Sequence, residues 1–288
     1  MTGQTDVTVK QMLEAGAHFG HHTHLWNPRM KPYIFGARNG VHIIDLQKTL
    51  DMAQRALQCI ENVVSQGQFV LFVGTKKQAQ VIIADEAKRA GMYYVNHRWL
   101  GGTLTNFKTI KASIDRLNEL EEIQKQGDES GYKKKERLLM SKDISKLLRS
   151  LGGIREMTRL PGLLFVIDPR KEHIAICEAQ KLGIPIVALT DTNCDPEGVA
   201  YLIPANDDAI KSIRLFTSMI ADACLKGSEK RQEVIRSEVE DKDSSRREEV
   251  TGSKGVAYVA VADSYEGEAE GSYSLDDAEK DAEKVGSE

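Results

Sequence analysis

The sequence predicts an α/β fold, with a parallel β-sheet covered by helices on both faces and a helical hairpin inserted midway. Three observations carry this. The runs Phe69-Val70-Leu71-Phe72-Val73 and Gly162-Leu163-Leu164-Phe165-Val166-Ile167 are apolar without alternation, the pattern of strands buried on both faces. Stretches with apolar residues at helical spacing alternate with such runs. Between the two halves, residues 105–152 are charged and carry only thin apolar seams.

In order along the chain, residues 1–40 are expected to form an irregular N-terminal arm that opens with a short helix near Val9–Gly16. His42-Ile43-Ile44 is a short strand. Leu46–Ser65 is a helix, with Leu50, Ala53, Leu57, Ile60 and Val64 on one face. Phe69–Val73 is a strand ended by Gly74, Lys76–Ala90 a helix stopped by Gly91, and Tyr93–Val95 a strand. In the insertion, Phe107, Ile110, Ile114 and Leu117, then Met140, Ile144, Leu147 and Leu151, give one seam per helix. Two such helices joined near Gly127–Gly131 make an antiparallel coiled-coil hairpin that projects from the body. Gly162–Ile167 is a strand, Lys171–Leu182 a helix, Pro185–Leu189 a strand and Leu202-Ile203 a last short strand. Asp207–Lys226 closes the body as a helix capped by Asn206. The α/β domain therefore takes 41–104 and 153–228. Beyond it, 229–288 is expected to be a frayed helix passing into a disordered tail, because large apolar residues are sparse there.

Charge divides the chain the same way. Residues 229–288 hold 18 acidic and 9 basic side chains, net −9, which leaves 25 and 30 on residues 1–228, net +5. The mildly basic body suits an anionic partner. Cys59, Cys177, Cys194 and Cys224 lie far apart, so neither a zinc ribbon nor a dithiol motif is expected, and a reducing, cytoplasmic compartment fits. Met1 is followed by polar residues rather than an apolar signal core, and no run approaches the roughly 20 apolar residues of a membrane span.

Four segments are candidates for chemistry. Arg98-Trp99-Leu100-Gly101-Gly102-Thr103-Leu104-Thr105-Asn106-Phe107 sets a guanidinium, an indole, hydroxyls and amides around a Gly-Gly pair. It holds no general base, so it suits gripping an anionic surface, or else a tight turn beside a packed Trp. Gly74-Thr75-Lys76-Lys77 follows a buried strand and could hold a phosphate at a helix N-terminus, although it lacks Walker A and G-x-G-x-x-G spacing. His18, His21, His22 and His24, with Trp26, Asn27, Arg29 and Lys31 downstream, suit stacking and phosphate contacts. Structural histidines are the alternative, and a metal is not expected. Asp168-Pro169 and Asp191-Thr192-Asn193-Cys194-Asp195-Pro196 follow strands, where an α/β enzyme places ligands, but both are also turn chemistry.

These residues carry a resemblance. Ala15-Gly16-Ala17-His18-Phe19-Gly20-His21, Trp26-Asn27-Pro28-Arg29-Met30, Gly74-Thr75-Lys76-Lys77-Gln78, the Arg98–Phe107 block, Pro161–Asp168, Ile184–Ala188 and Asp191-Thr192-Asn193 stand in the order of the bacterial small-subunit ribosomal protein S-two family, over about 8–226. The resemblance implies a flavodoxin-like three-layer α/β/α sandwich. It implies a structural, non-enzymatic role in the small ribosomal subunit, with small-subunit rRNA and neighbouring proteins, S-one included, as partners. It implies a monomer within the ribosome, cytoplasmic or alternatively organellar, with no cofactor, metal, small-molecule substrate or membrane. The expected RNA contacts are Trp26, Arg29, Lys31, Lys76, Lys77, Arg98 and Lys108.

Overall fold

A computed structural model describes residues 7–126 and 132–262, with side chains to residue 237. The first of two compact units, residues 1–234, contains the sheets. Its centre is a five-stranded sheet of β4 (Val70–Val73), β5 (Tyr93–Val95), β6 (Leu163–Ile167), β7 (Ile186–Thr190) and β8 (Tyr201–Pro204), in the order β5-β4-β6-β7-β8. Every neighbouring pair is parallel. This is the doubly wound order in which the chain reverses direction across the sheet between β4 and β6.

The unalternated runs have their physical reason in two cores. Alternate strand residues point to opposite faces. Val70, Phe72, Phe165, Val187 and Leu189 pack with α2 (Leu46–Ser65), α3 (Gln80–Arg89) and the first part of α7 (Ile210–Ala262). Leu71, Val73, Leu164, Val166 and Ala188 pack with α6 (His173–Lys181), Trp99 and the sheet-proximal residues of α4 (Phe107–Gln126) and α5 (Lys134–Leu151). The three-layer sandwich is therefore as expected. No helix among the described residues is long and apolar enough to cross a membrane.

Four features differ from the sequence reading. Residues 7–40 do not form an irregular arm. After α1 (Val9–Glu14), with its Thr8–Gln11 capping box, β1 (Phe19–His22) and β2 (Ile34–Arg38) flank β3 (Val41–Ile44) in a separate antiparallel sheet. The expected strand at His42 belongs here and not to the parallel sheet. Second, α3 starts only at Gln80, so Lys76 and Lys77 lie in a turn before it. Third, the seam of the insertion is divided. Ile110, Ile114 and Leu151 belong to the sheet core, while Leu117, Leu120 and Ile144, with Met140 and Leu147, form a cluster of their own. The expected turn at 127–131 lies outside the described residues.

The fourth difference concerns the tail. The closing helix, expected over Asp207–Lys226 and frayed beyond, is longer: α7 continues to Ala262. Glu, Lys and Arg, which bury little, are also good helix formers. The part from 235 onward forms the second unit. Residues 263–288, the rest of the expected tail, lie outside the described residues.

Candidate nucleic-acid interface

The Arg98–Phe107 loop is built around a carboxylate. Gly102, at φ +87°, turns the chain so that successive amides converge. Glu178, on α6, fills the concavity: its Oε1 accepts from Gly102 N (2.7 Å) and Trp99 Nε1 (3.1 Å), and its Oε2 from Leu104 N (2.9 Å) and Thr105 N (3.1 Å). Burial pushes this carboxyl up, but the donors outweigh it and hold the pKa below the ordinary value. An anion-binding nest is present, but the chain supplies its own anion. Trp99 is buried, while Arg98 stays exposed beside it.

The same holds at the carboxyl ends of the parallel strands. The amide and hydroxyl of Thr75 donate to Glu172 Oε1, at 3.0 and 2.5 Å. Burial raises the Glu172 pKa. Lys76 turns inward and pairs with Asp207 (2.6 Å), Asp208 (2.7 Å) and Asp168 (3.3 Å). Burial works against its charge, yet those carboxylates raise its pKa well above that of a free lysine. His21 closes the cluster from β1, with Nδ1 2.9 Å from Asp191 and Nε2 3.5 Å from Asp208. Its hydrogen bond to Asp191 raises its pKa. Burial, with Asp191 and Asp168 nearby, pushes Asp207 up to about 7.

The crevice where a doubly wound enzyme holds its ligand is thus threaded by the protein's own ammonium and imidazole. Donors that could hold a metal are His21, Asp191 and Asp207, within 4.8 Å of one another, and likewise Asp168, Cys194 and Asp207. In both groups Asp207 is already bonded to Lys76. Sequence reasoning weighed the run His18–His24 for metal and missed these combinations, because their members lie 13 to 186 positions apart. The four histidines in fact separate: His22 and His24 stack at 5.6 Å, and His18 lies against the Phe19 ring.

The seven expected RNA contacts fall into two groups. Lys31, Lys77, Arg98 and Lys108 are exposed, and no ion pair holds them among the described residues. The other three are engaged. Lys76 is the strut just described, and Arg29 Nη1 pairs with Asp195 (2.8 Å) and with Glu197. Trp26 is half-buried, its ring 5.1 Å from that of His42. Neither Glu178 nor Asp207 was singled out by the sequence, although each organises a segment that was.

Comparison with known proteins follows the globular body. The family model described as Ribosomal protein S2 matches residues 12–227. The small ribosomal subunit protein uS2 of Geotalea uraniireducens is 56% identical over 236 residues, covering 82% of this chain and 92% of the relative. The protein of the same name from Maridesulfovibrio salexigens is 54% identical over 248 residues, covering 86% and 96%. By the span of the family match and by identity with these relatives, the chain belongs to the ribosomal protein S2 family.

Proposed function

We propose that this chain is a structural constituent of the small ribosomal subunit that binds small-subunit rRNA. The family match carries the ribosomal role. It is the role of a structural protein and not of an enzyme. The observation that supports RNA contact is the set Lys31, Lys77, Arg98 and Lys108, exposed and without a carboxylate partner among the described residues, on a body of net +5. Phosphates recognised by such side chains need no active-site geometry. Lys76 and Arg29 serve instead as internal ties.

Neighbouring ribosomal proteins, S-one among them, are the second class of partner. Leu138, Leu139 and Leu148 are exposed on α5, among charged residues, and support a protein contact there. The helical pair α4 and α5 acts in this reading as a coiled-coil hairpin that presents them. The chain works as a single copy per ribosome in the cytoplasm.

The test is cosedimentation of the full chain with small subunits, read by gradient fractionation and by recovery of small-subunit rRNA on affinity capture. Comigration with the subunit at physiological salt is expected. A chain found only in the free-protein fractions of growing cells would contradict the assignment.

A further inference from the structure

One exposed surface remains unused by these assignments, the outer face of the β1-β3-β2 sheet. Cross-strand partners share a face. Phe19 pairs with Ile43, and Arg38 with Val41, two residues along β3. The register of β2 slips between Ile34 and Gly36, so Phe35 is the extra residue of a β-bulge. Bulges re-aim a side chain out of the regular pleat. Here the result is a Phe35 ring that is 80% exposed, with Phe19 at 49%. Together with His18, these residues line a concavity of about 720 Å³. Gly36 leaves its floor open, with nothing within 4 Å of where a Cβ would stand.

The opposite face of this sheet is spoken for. A Cβ on Gly20 would lie 2.7 Å from the Thr192 side chain. His21 N donates to Thr192 Oγ1 at 2.9 Å, and the His21 ring meets Asp191. The sheet is thus fastened to the body by one side and presents the other.

Charge identifies what the open face fits. From Ala15 to Ile44 there is no Asp or Glu, in a chain with 43 of them, while Arg29, Lys31, Arg38 and five histidines occur there. Arg38 lies exposed at the rim of the concavity and has no carboxylate partner among the described residues. An exposed aromatic ring flanked by a guanidinium and an imidazole, without acids, complements a planar base on a phosphate backbone. Proteins that bind single-stranded RNA use such rings as stacking platforms.

We infer that the Phe35–Phe19 face of the three-stranded sheet binds unpaired RNA nucleotides, stacking a base on Phe35 while Arg38 meets the adjacent phosphate. This rests on the rRNA-binding reading above and deepens it. It assigns the exposed lysines to backbone contacts and this face to unpaired bases, so the protein selects loops or bulges over continuous duplex.

The experiment uses the full chain with three probes: small-subunit rRNA, a short unstructured RNA strand, and a hairpin duplex of equal length. Affinity is read by fluorescence anisotropy. Phe35→Ala is expected to weaken binding of the single strand about 10-fold, within the range for one stacked base. Duplex affinity should not change, and Phe35→Trp should restore single-strand binding to within about 2-fold of wild type. Arg38→Ala should lower the salt slope on the single strand by about 0.7. Phe35 is exposed, so equal melting temperatures should accompany these changes. Unchanged single-strand affinity in Phe35→Ala overturns the inference. So does a Phe35→Ala chain that binds RNA normally but whose small subunits lack a neighbouring protein, which would make the face a protein dock. If wild type fails to bind small-subunit rRNA, the proposed function falls with it. If wild type binds rRNA and only the Phe35 effect is missing, the inference alone falls.

Discussion

The strand-end crevice and the surface cations look alike in sequence and differ in the folded chain. Both offer basic side chains beside turn or helix-start signals, as at Lys76 and Lys77 and at Arg98 and Lys108. At the crevice the charges meet within the chain: Lys76 lies among Asp168, Asp207 and Asp208, and in the neighbouring loop the Gly102, Leu104 and Thr105 amides surround Glu178. At Lys31, Lys77, Arg98 and Lys108 the charges face solvent. Charges of the first kind hold the fold, and those of the second are available to a partner. A doubly wound sheet need not carry a ligand in its crevice; here the crevice is closed by residues of the chain.

The sharpest way to break this contrast is to remove a strut. Lys76→Met leaves Asp168, Asp207 and Asp208 without their common counter-charge. A loss on the order of 3–5 kcal/mol is expected in urea unfolding, as for other broken buried pairs. A loss below 1 kcal/mol would show that the cluster is solvated. Glu178→Ala should come next, at about 3 kcal/mol, because Gly102, Leu104 and Thr105 lose the acceptor of their amides.

Ile144→Asp tests a different boundary. Ile144 is 5% exposed between Leu117 and Leu120, and a charge there should cost on the order of 2–4 kcal/mol locally. Hydrogen exchange should speed up in the distal parts of α4 and α5 and stay slow in β4, β6 and β7. Equal loss in the strands would tie the helical pair to the core throughout its length.

A smaller effect concerns pH. Asp207 and His21 both bind a proton more tightly in the fold than in the unfolded chain, since both pKa values are raised. Their contribution is therefore present at low pH and lost as pH rises. For Asp207 the loss runs up to and through about 7; for His21 it begins near 6.5 and extends upward. Between pH 6 and 8 the part due to Asp207 should be about 1 kcal/mol. Asp207→Asn should flatten this stretch of the stability curve. An unaltered slope would place the titration elsewhere.

What was legible in the sequence follows from this physics. Phe69–Val73 and Gly162–Ile167 are buried on both faces, so their composition alone marks them as strands of a covered sheet. The three-stranded sheet was not legible. Its first strand is Phe-Gly-His-His, its second carries a bulge, and neither alternates. Glu178 occupies a helix position that looks like a solvated face, and only the tertiary fold brings the Gly102 amide to it. In sequence Lys76 reads as a phosphate ligand, because a turn after a strand looks the same whether its lysine points out or in; the fold turns it inward. The four exposed cations were legible as cations; that no carboxylate pairs with them among the described residues was not.

The central claim is that the cations without a carboxylate partner among the described residues meet phosphate and the paired ones do not. It is tested most directly by the salt dependence of binding to small-subunit rRNA. The variant with Lys31, Lys77, Arg98 and Lys108 all changed to Ala should keep its stability, since exposed substitutions cost little, about 0.5 kcal/mol each at most. Its slope of log K against log salt should fall by up to about 0.9 per lost phosphate contact, roughly 3–4 in all. Arg29→Ala should leave the slope close to that of wild type. A slope unchanged in the fourfold variant but reduced in Arg29→Ala would contradict the account.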